Sequence, residues 1–422
     1  MKKFLTLALA AVMTLSLLAG CGANNSAASG SGSAAPAGGD LIFTTGGETG
    51  TYYAFGGVIA QDVSANTATT VTAISSDGSK ANVLLLQSGD AQLAFCQSDV
   101  MAYAYNGTST FADTGAYTGF STVASLYMEQ VQIVTCDPSI KTVADLAGKK
   151  VSVGAAGSGV YFNAVDILSA YGLGELNDKG EFTQIIANYQ SFGDSADSLT
   201  DGTIDAAFIV AGAPTNAISS LATTKNVYLV SLDDEHIDTL MASSPYYSKA
   251  TIPADTYPGT PEATTVAVGA VVIARDDVSE DDVYNFVSDI YENAANLSHG
   301  KASELDLEFA ASVTAVPYHK GAAKYFAEKG ITVPTKYKSE QHLNGKNPKK
   351  GCGGASRRSP SPLSGADESA SVQWYRVIRT PESEPSYWTP IKSRQSLLLI
   401  ARQRVGVCMR RLLRFLRRRA TL

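Results

Sequence analysis

Five short segments carry the residues able to hold a small ligand. The first, Thr45-Gly46-Gly47-Glu48-Thr49-Gly50-Thr51-Tyr52-Tyr53, mixes glycines with hydroxyls and runs into a helical pattern. Glycine lets backbone N–H groups approach a ligand, and a helix N-terminus favours an anion. Gly46, Gly47, Thr49, Gly50, Thr51 and Tyr52 are therefore candidate ligand residues. The second, Ser75-Ser76-Asp77-Gly78-Ser79, also precedes a helix; Ser76 and Ser79 are candidates, although helix capping by Asp77 or Ser79 accounts for the same residue types. In Cys96-Gln97-Ser98-Asp99, Gln97 and Ser98 offer neutral hydrogen bonds, while Asp99 suits a helix cap or an ammonium group. Gly154-Ala155-Ala156-Gly157-Ser158-Gly159 reads as an anion-holding turn built on Gly157, Ser158 and Gly159. Gly212 and Pro214, in Ala211-Gly212-Ala213-Pro214, are expected to face the same cleft.

The same residues exclude other chemistry. No Gly-Lys-Ser/Thr follows the first loop, so it is not a Walker phosphate loop, and the fourth lacks the G-x-G-x-x-G spacing of dinucleotide sites. No Gly-x-Ser-x-Gly elbow occurs. His236, His299, His319 and His342 are scattered without metal-ligand spacing, and His319 reads as structural. Cys96 and Cys136 form no C-x-x-C and are expected to be free thiols in apolar strands. No catalytic residue, metal or cofactor is predicted. Arg275 is the sole arginine before residue 340, beside Asp276 and Asp277, which are expected to occupy it. A bidentate guanidinium clamp is the usual carboxylate holder. A carboxylate here would instead be held by backbone N–H groups and the hydroxyls of Thr49, Thr51, Ser98 and Ser158. Lys80 is expected to be solvated.

These loops need strands and helices to place them. Strands are predicted over 41–45, 70–74, 92–96, 131–134, 150–153, 183–186, 206–210, 227–230 and 266–273, and helices over 52–64, 80–87, 161–169 and 281–296. Such alternation predicts an α/β protein with mostly parallel sheets covered on both sides. Gly89-Asp90-Ala91-Gln92-Leu93-Ala94-Phe95 echoes Gly202-Thr203-Ile204-Asp205-Ala206-Ala207-Phe208, which suggests two similar lobes. The expectation is a two-lobed, periplasmic-binding-protein-like fold. Each lobe is an open, mostly parallel sheet with flanking helices, and a hinge and central cleft lie between them. Lobe 1 would hold 40–130 and 265–338, lobe 2 131–264. Ligands of open α/β sheets sit at the carboxyl ends of the strands.

Six motifs in order resemble the TAXI family, the extracytoplasmic solute receptors of TRAP transporters. They are TTGGETGTYYAFGGVIA (44–60), SGDAQLAFCQSDVMAYAYNG (88–107), TVADLAGKKVSVGAAGSGV (142–160), DGTIDAAFIVAGAPTNAI (201–218), IPADTYPG (252–259) and VPYHKGAAKYFAEKGI (316–331). The likeness spans about 40–338. It departs at Ser76-Asp77-Gly78-Ser79-Lys80, where a Gly-Gly-Ser run is commoner, and this bears on ligand identity. The resemblance implies a receptor that hands a small anionic metabolite, glutamate-like or a dicarboxylate, to TRAP permease subunits. The alternative is a ligand-sensing lipoprotein that uses the same fold for signalling.

The two ends differ from this body. Residues 1–20 read as an export signal, with Lys2 and Lys3 before an apolar run, and Leu18-Ala19-Gly20-Cys21 resembles a bacterial lipoprotein site. Cys21 would carry lipid, 21–39 would be a flexible linker, and the domain would sit at the outer face of the cytoplasmic membrane. Residues 1–340 carry a formal charge of −20 and 341–422 carry +13, with thirteen arginines. The abrupt change favours a tail, 339–422, that is foreign to the domain, from out-of-frame or vector-derived coding. The other reading is a cationic amphipathic helix over 396–419 at a membrane surface. No nucleic-acid partner is expected.

Overall fold

The computed structural model describes residues 38–336. The signal segment, Cys21, the linker up to residue 37 and the basic tail lie outside the described residues. The chain alternates from its start: β1 (Asp40–Thr44), α1 (Thr51–Asn66), β2 (Thr70–Ile74), α2 (Ser79–Ser88), β3 (Leu93–Gln97) and α3 (Ser98–Asn106). Then come β4 (Phe120–Thr135), β5 (Lys150–Ser152), α4 (Val160–Ala170), β6 (Ile186–Asn188), α5 (Phe192–Asp201), β7 (Ala206–Ala211), α6 (Asn216–Ala222) and β8 (Tyr228–Val230). The last elements are α7 (Asp234–Ser243), β9 (Ser248–Ile252), β10 (Ala263–Arg275), α8 (Glu280–Glu292), α9 (Leu307–Ala310) and α10 (Lys320–Glu328).

The strands join in the order β2-β1-β3-β10-β4-β7-β5-β6, with β8 on β4 and β9 on β10. β1 runs parallel to β2 and β3, and β5 runs parallel to β6 and β7. Two long strands link these parallel sets. β10 is antiparallel to β3, β4 and β9, and β4 is antiparallel to β10, β7 and β8. Residues 120–130 of β4 pair with β10, and residues 130–135 pair with β7. The expected lobe boundaries, 130/131 and 264/265, fall inside these two strands. Register shifts between Ala270/Val271 and Val272/Ile273 fall where β10 also pairs with β3, within the first set.

Each half has its own apolar interior. Phe43, Phe55, Phe95 and Phe286 are wholly buried in the first, and the Phe43 and Phe95 rings stack at 5.0 Å. Val151, Ile167, Leu168 and Phe208 are buried in the second. Burying one such side chain contributes about 1.5–3 kcal/mol. β3 and β7 are buried along their whole length, which is why each reads as an apolar run, closed in β3 by the buried Gln97. Each follows a helix ended by a left-handed glycine, Gly89 (φ 87°) or Gly202 (φ 68°), so the sequence echo is a shared local unit.

Three expectations shift. The strand predicted over 131–134 is the end of a much longer β4, whose Ser121, Thr122, Ser125, Glu129 and Gln132 are buried polar residues that break the apolar pattern. The strand predicted over 183–186 begins at Ile186; Phe182 and Ile185 mark burial of an irregular segment, not pairing. The helix predicted to 296 stops at Glu292 and continues only as a 3-10 turn, Ala294–Asn296.

Candidate functional site

Between the halves lies a cavity of about 130 Å³. That is on the order of ten times the space one water needs. Gly46, Gly47, Gly50, Thr51 and Tyr52 line it from the β1–α1 loop, and Ser76, Asp77, Gly78 and Ser79 from the β2–α2 loop. Gln97 closes β3, Glu129 projects from β4, and Ala155, Ser158, Gly159 and Val160 come from the β5–α4 loop. Ser191, Phe192, Val210 and Ala211 complete the wall.

Five helices begin at this cavity: α5 starts from Ser191, whose side chain accepts from Asp194 N–H, and the other four start without such a cap. The cap residues of those four are Gly50 (α1), Gly78 (α2), Gln97 (α3) and Gly159 (α4). All four cap residues line the cavity. A helix N-terminus carries partial positive charge and unsatisfied N–H groups. Glycine is required at two of these caps. Gly78 has φ 100°, and a Cβ on Gly159 would lie 1.4 Å from Gln97 Oε1.

Hydrogen bonds close the halves around the cavity. Thr51 Oγ1 donates to Gly212 O (3.0 Å), and Ala217 N–H donates to Thr49 O (3.2 Å). Ala81 N–H donates to Gly157 O (3.0 Å), and Gln97 Nε2 donates to Asn163 Oδ1 (2.8 Å). Asn163 Nδ2 in turn donates to Asp99 Oδ2 (3.0 Å) and to Tyr247 Oη (2.8 Å).

The electrostatics are unusual for a site expected to hold an anion. Among the described residues, no lysine, arginine or histidine lines the cavity. Glu129 is 2% exposed and accepts from Tyr52 Oη at 2.6 Å. Burial pushes its carboxyl up to about 8, against the lowering effect of the Tyr52 hydrogen bond. Burial likewise raises Asp99 to about 7, offset in part by the Val100 N–H and reinforced by Asp166. Arg275 is engaged by Asp277, while Asp276 is held by Lys336 and Ser121. Lys301 is buried, paired with Glu304 at 2.5 Å and 5.6 Å over the Tyr127 ring.

Ten of the sixteen sequence-derived ligand candidates line the cavity: Gly46, Gly47, Gly50, Thr51, Tyr52, Ser76, Ser79, Gln97, Ser158 and Gly159. Thr49, Gly157 and Gly212 instead hold the two halves together through their carbonyls. Ser98 and Asp99 sit behind the wall: Ser98 Oγ accepts from Gly269 N–H, and Asp99 accepts from Val100 N–H and Asn163. Pro214 is exposed, after a cis bond from Ala213. The hydroxyl protons expected to hold a carboxylate go elsewhere, Thr51 to Gly212 O and Ser158 to Ala155 O. Main-chain N–H groups and the Ser79 hydroxyl, which itself accepts from Gln97 N–H, are left as the donors. Beyond Asp77, Gly78, Ala155 and Ala211, which lie in the loops singled out but were not named as ligand residues, sequence reading missed Glu129, Val160, Ser191, Phe192 and Val210. Only Glu129 left a signal, a lone carboxylate inside a β-branched run.

Other chemistry-bearing residues have structural partners. His319 caps α10 by accepting from Gly321 N–H, and burial lowers it to about 4. Cys96 and Cys136 are unpaired, Cys96 buried in β3 and Cys136 half-buried just past β4. Lys80 lies 5.7 Å over the Phe111 ring. Among the described residues no group of three or more His, Cys, Asp or Glu is placed to hold a metal ion.

Two solved structures illustrate distant likeness. The substrate-binding protein of an amino acid ABC transporter is 11% identical, with 63% of this chain and 96% of that one covered at a TM-score of 0.38. The periplasmic aliphatic sulphonate binding protein SsuA from Escherichia coli is 15% identical, with 69% and 90% covered at a TM-score of 0.36. The sequence match is broader in what it establishes. Residues 43–330, which carry every loop of the cavity and most of both long strands' surroundings, match the NMT1-like family. Because that match takes in well over half of the 422 residues, the chain belongs to the NMT1-like family.

Proposed function

We propose that this protein is an extracytoplasmic solute-binding receptor. It captures a small carboxylate-bearing metabolite and delivers it to a TRAP-type secondary transporter, as the ordered TAXI-like motifs imply. The observation that carries the reading is the meeting of four helix N-termini without side-chain caps at one interlobe cavity. Such N-termini are anion sites by geometry and by dipole. Closure over the cavity by hydrogen bonds from both halves suits capture and release by hinge motion. The protein would reach the membrane through lipid on Cys21. Among the described residues no helix is long and apolar enough to cross one.

Thermal melting of the full chain against amino acids and dicarboxylates tests this. A solute at a hundred times its Kd stabilises the folded state by about 2.7 kcal/mol. Failure of every carboxylate-bearing compound to raise the melting temperature removes the reading. Uptake by cells holding the cognate permease, with and without the receptor, tests delivery.

A further inference from the structure

We infer that Glu129 and Gln97 form an acceptor subsite for an ammonium group on the solute, which makes the solute an amino-acid-like zwitterion rather than a dianion. The inference rests on the receptor reading above and adds the chemistry of the bound molecule.

Two independent observations carry it. The first is Gln97 Oε1, which is buried with no hydrogen-bond partner and lies against Gly159, another residue of the cavity wall. The amide orientation is fixed from behind. Asn163 Nδ2 donates to Asp99 and to Tyr247, so Asn163 Oδ1 faces Gln97 and takes its Nε2–H. Gln97 Oε1 is therefore held as an acceptor. Leaving such a group unmatched is costly, and a donor on the solute would remove that cost.

The second observation is Glu129. It lines the cavity, it is almost wholly buried, and no lysine, arginine or histidine among the described residues shares the lining. Tyr52 satisfies Oε2. A second carboxylate on the solute would meet this acid; an ammonium group would complement it. The helix N-termini supply the opposite preference for the solute's single carboxylate. One cavity thus offers both halves of a zwitterion their counterpart.

Proton traffic follows. In the empty site Glu129, raised to about 8, is mostly protonated at pH 7. An arriving ammonium favours the ionised form, so binding releases a proton and tightens as pH rises toward 8, by at most about tenfold per pH unit. The groups facing Glu129 are Tyr52 on α1, Cys96 on β3, Asp99 on α3, Tyr127 on β4, and Lys301 from the 3-10 segment Gly300–Glu304. Ionisation of Asp99 in the same range opposes that of Glu129 and makes the dependence shallower. A dianion would instead bind with proton uptake.

The experiment is calorimetric titration of the full chain with single L-amino acids, each beside its deaminated 2-oxo acid, and with succinate, malate and glutarate. Titrations are repeated in buffers of different ionisation enthalpy to count protons. The expected result is an amino acid that binds at least tenfold tighter than its 2-oxo acid and releases protons at pH 7. Glu129→Gln should erase that preference by tenfold or more. Binding of a 2-oxo acid or dicarboxylate as tight as any amino acid, or proton uptake, overturns the inference and leaves the receptor reading intact. No binding by any compound overturns both. The wild-type comparison and proton count decide the matter even where the variant does not fold.

Discussion

Four of the five helices that begin at the cavity differ in their caps from the helices that begin away from it. α1, α2, α3 and α4 start from Gly50, Gly78, Gln97 and Gly159, without side-chain caps. Away from the cavity, α7, α8, α9 and α10 start from Asp233, Ser279, Asp306 and His319, and each of these side chains accepts from the first turn; α5 is capped in the same way by Ser191, although Ser191 lines the cavity. A side-chain cap contributes about 0.5–2 kcal/mol. Four of the five cavity helices forgo it. On the proposed reading, those four give up local stability so that their N–H groups stay open to a solute. α6 joins the two groups: Thr215 gives it no side-chain cap, and Ala217 N–H finds Thr49 O across the cleft.

The largest expected effect lies outside the cavity. Phe286→Ala removes a wholly buried ring that meets Phe43 edge-on at 5.4 Å. It should cost about 3–5 kcal/mol in denaturant melts while the folded fraction keeps its affinity. Lost affinity in the folded protein would show that the two regions are not separable. Next is Gly159→Ala, whose Cβ collides with Gln97 Oε1. Solute binding should weaken about a hundredfold, near 2.7 kcal/mol, and the displaced Gln97 should cost about 1–3 kcal/mol of stability in thermal melts. Unchanged affinity would mean that α4 does not abut the bound solute.

Gly50→Asp turns a cavity helix into one of the other kind. It should stabilise the empty protein by about 1 kcal/mol and weaken binding about tenfold, because the new carboxylate competes for the same N–H groups. Equal or stronger binding would break the comparison outright. Ser279→Ala makes the converse change at α8: about 1 kcal/mol lost in thermal melts and an unaltered calorimetric Kd. The smallest effect is expected of Arg275→Ala, since Asp277 already holds the guanidinium. Affinity should move by less than tenfold; a larger loss would put Arg275 in contact with the solute.

Much of this was readable from residue order. The parallel strands of each half are short apolar runs between turn residues, and the glycine-rich loops before α1 and α4 announce exposed N–H groups. What escaped reading was polar and non-local. β4 hides its length because Thr122 and Gln132 are buried with partners far along the chain, Val316 O and Thr215 Oγ1. Glu129 sits in the same strand, and a single sequence does not tell which face of a strand meets a cavity. The fate of the hydroxyls was equally hidden. The carbonyl that takes the Thr51 proton is 161 residues away, so only the folded chain shows that the side chain is occupied.

The two long strands have a mechanical consequence. β4 and β10 lie side by side, antiparallel and registered through the crossing, with their irregularities confined to Ala270–Ile273. Straps zipped together in this way resist swivelling and yield more readily to folding along one line. A docking partner would then sense little more than how wide the jaws stand, a single coordinate set by whether the space between them is filled.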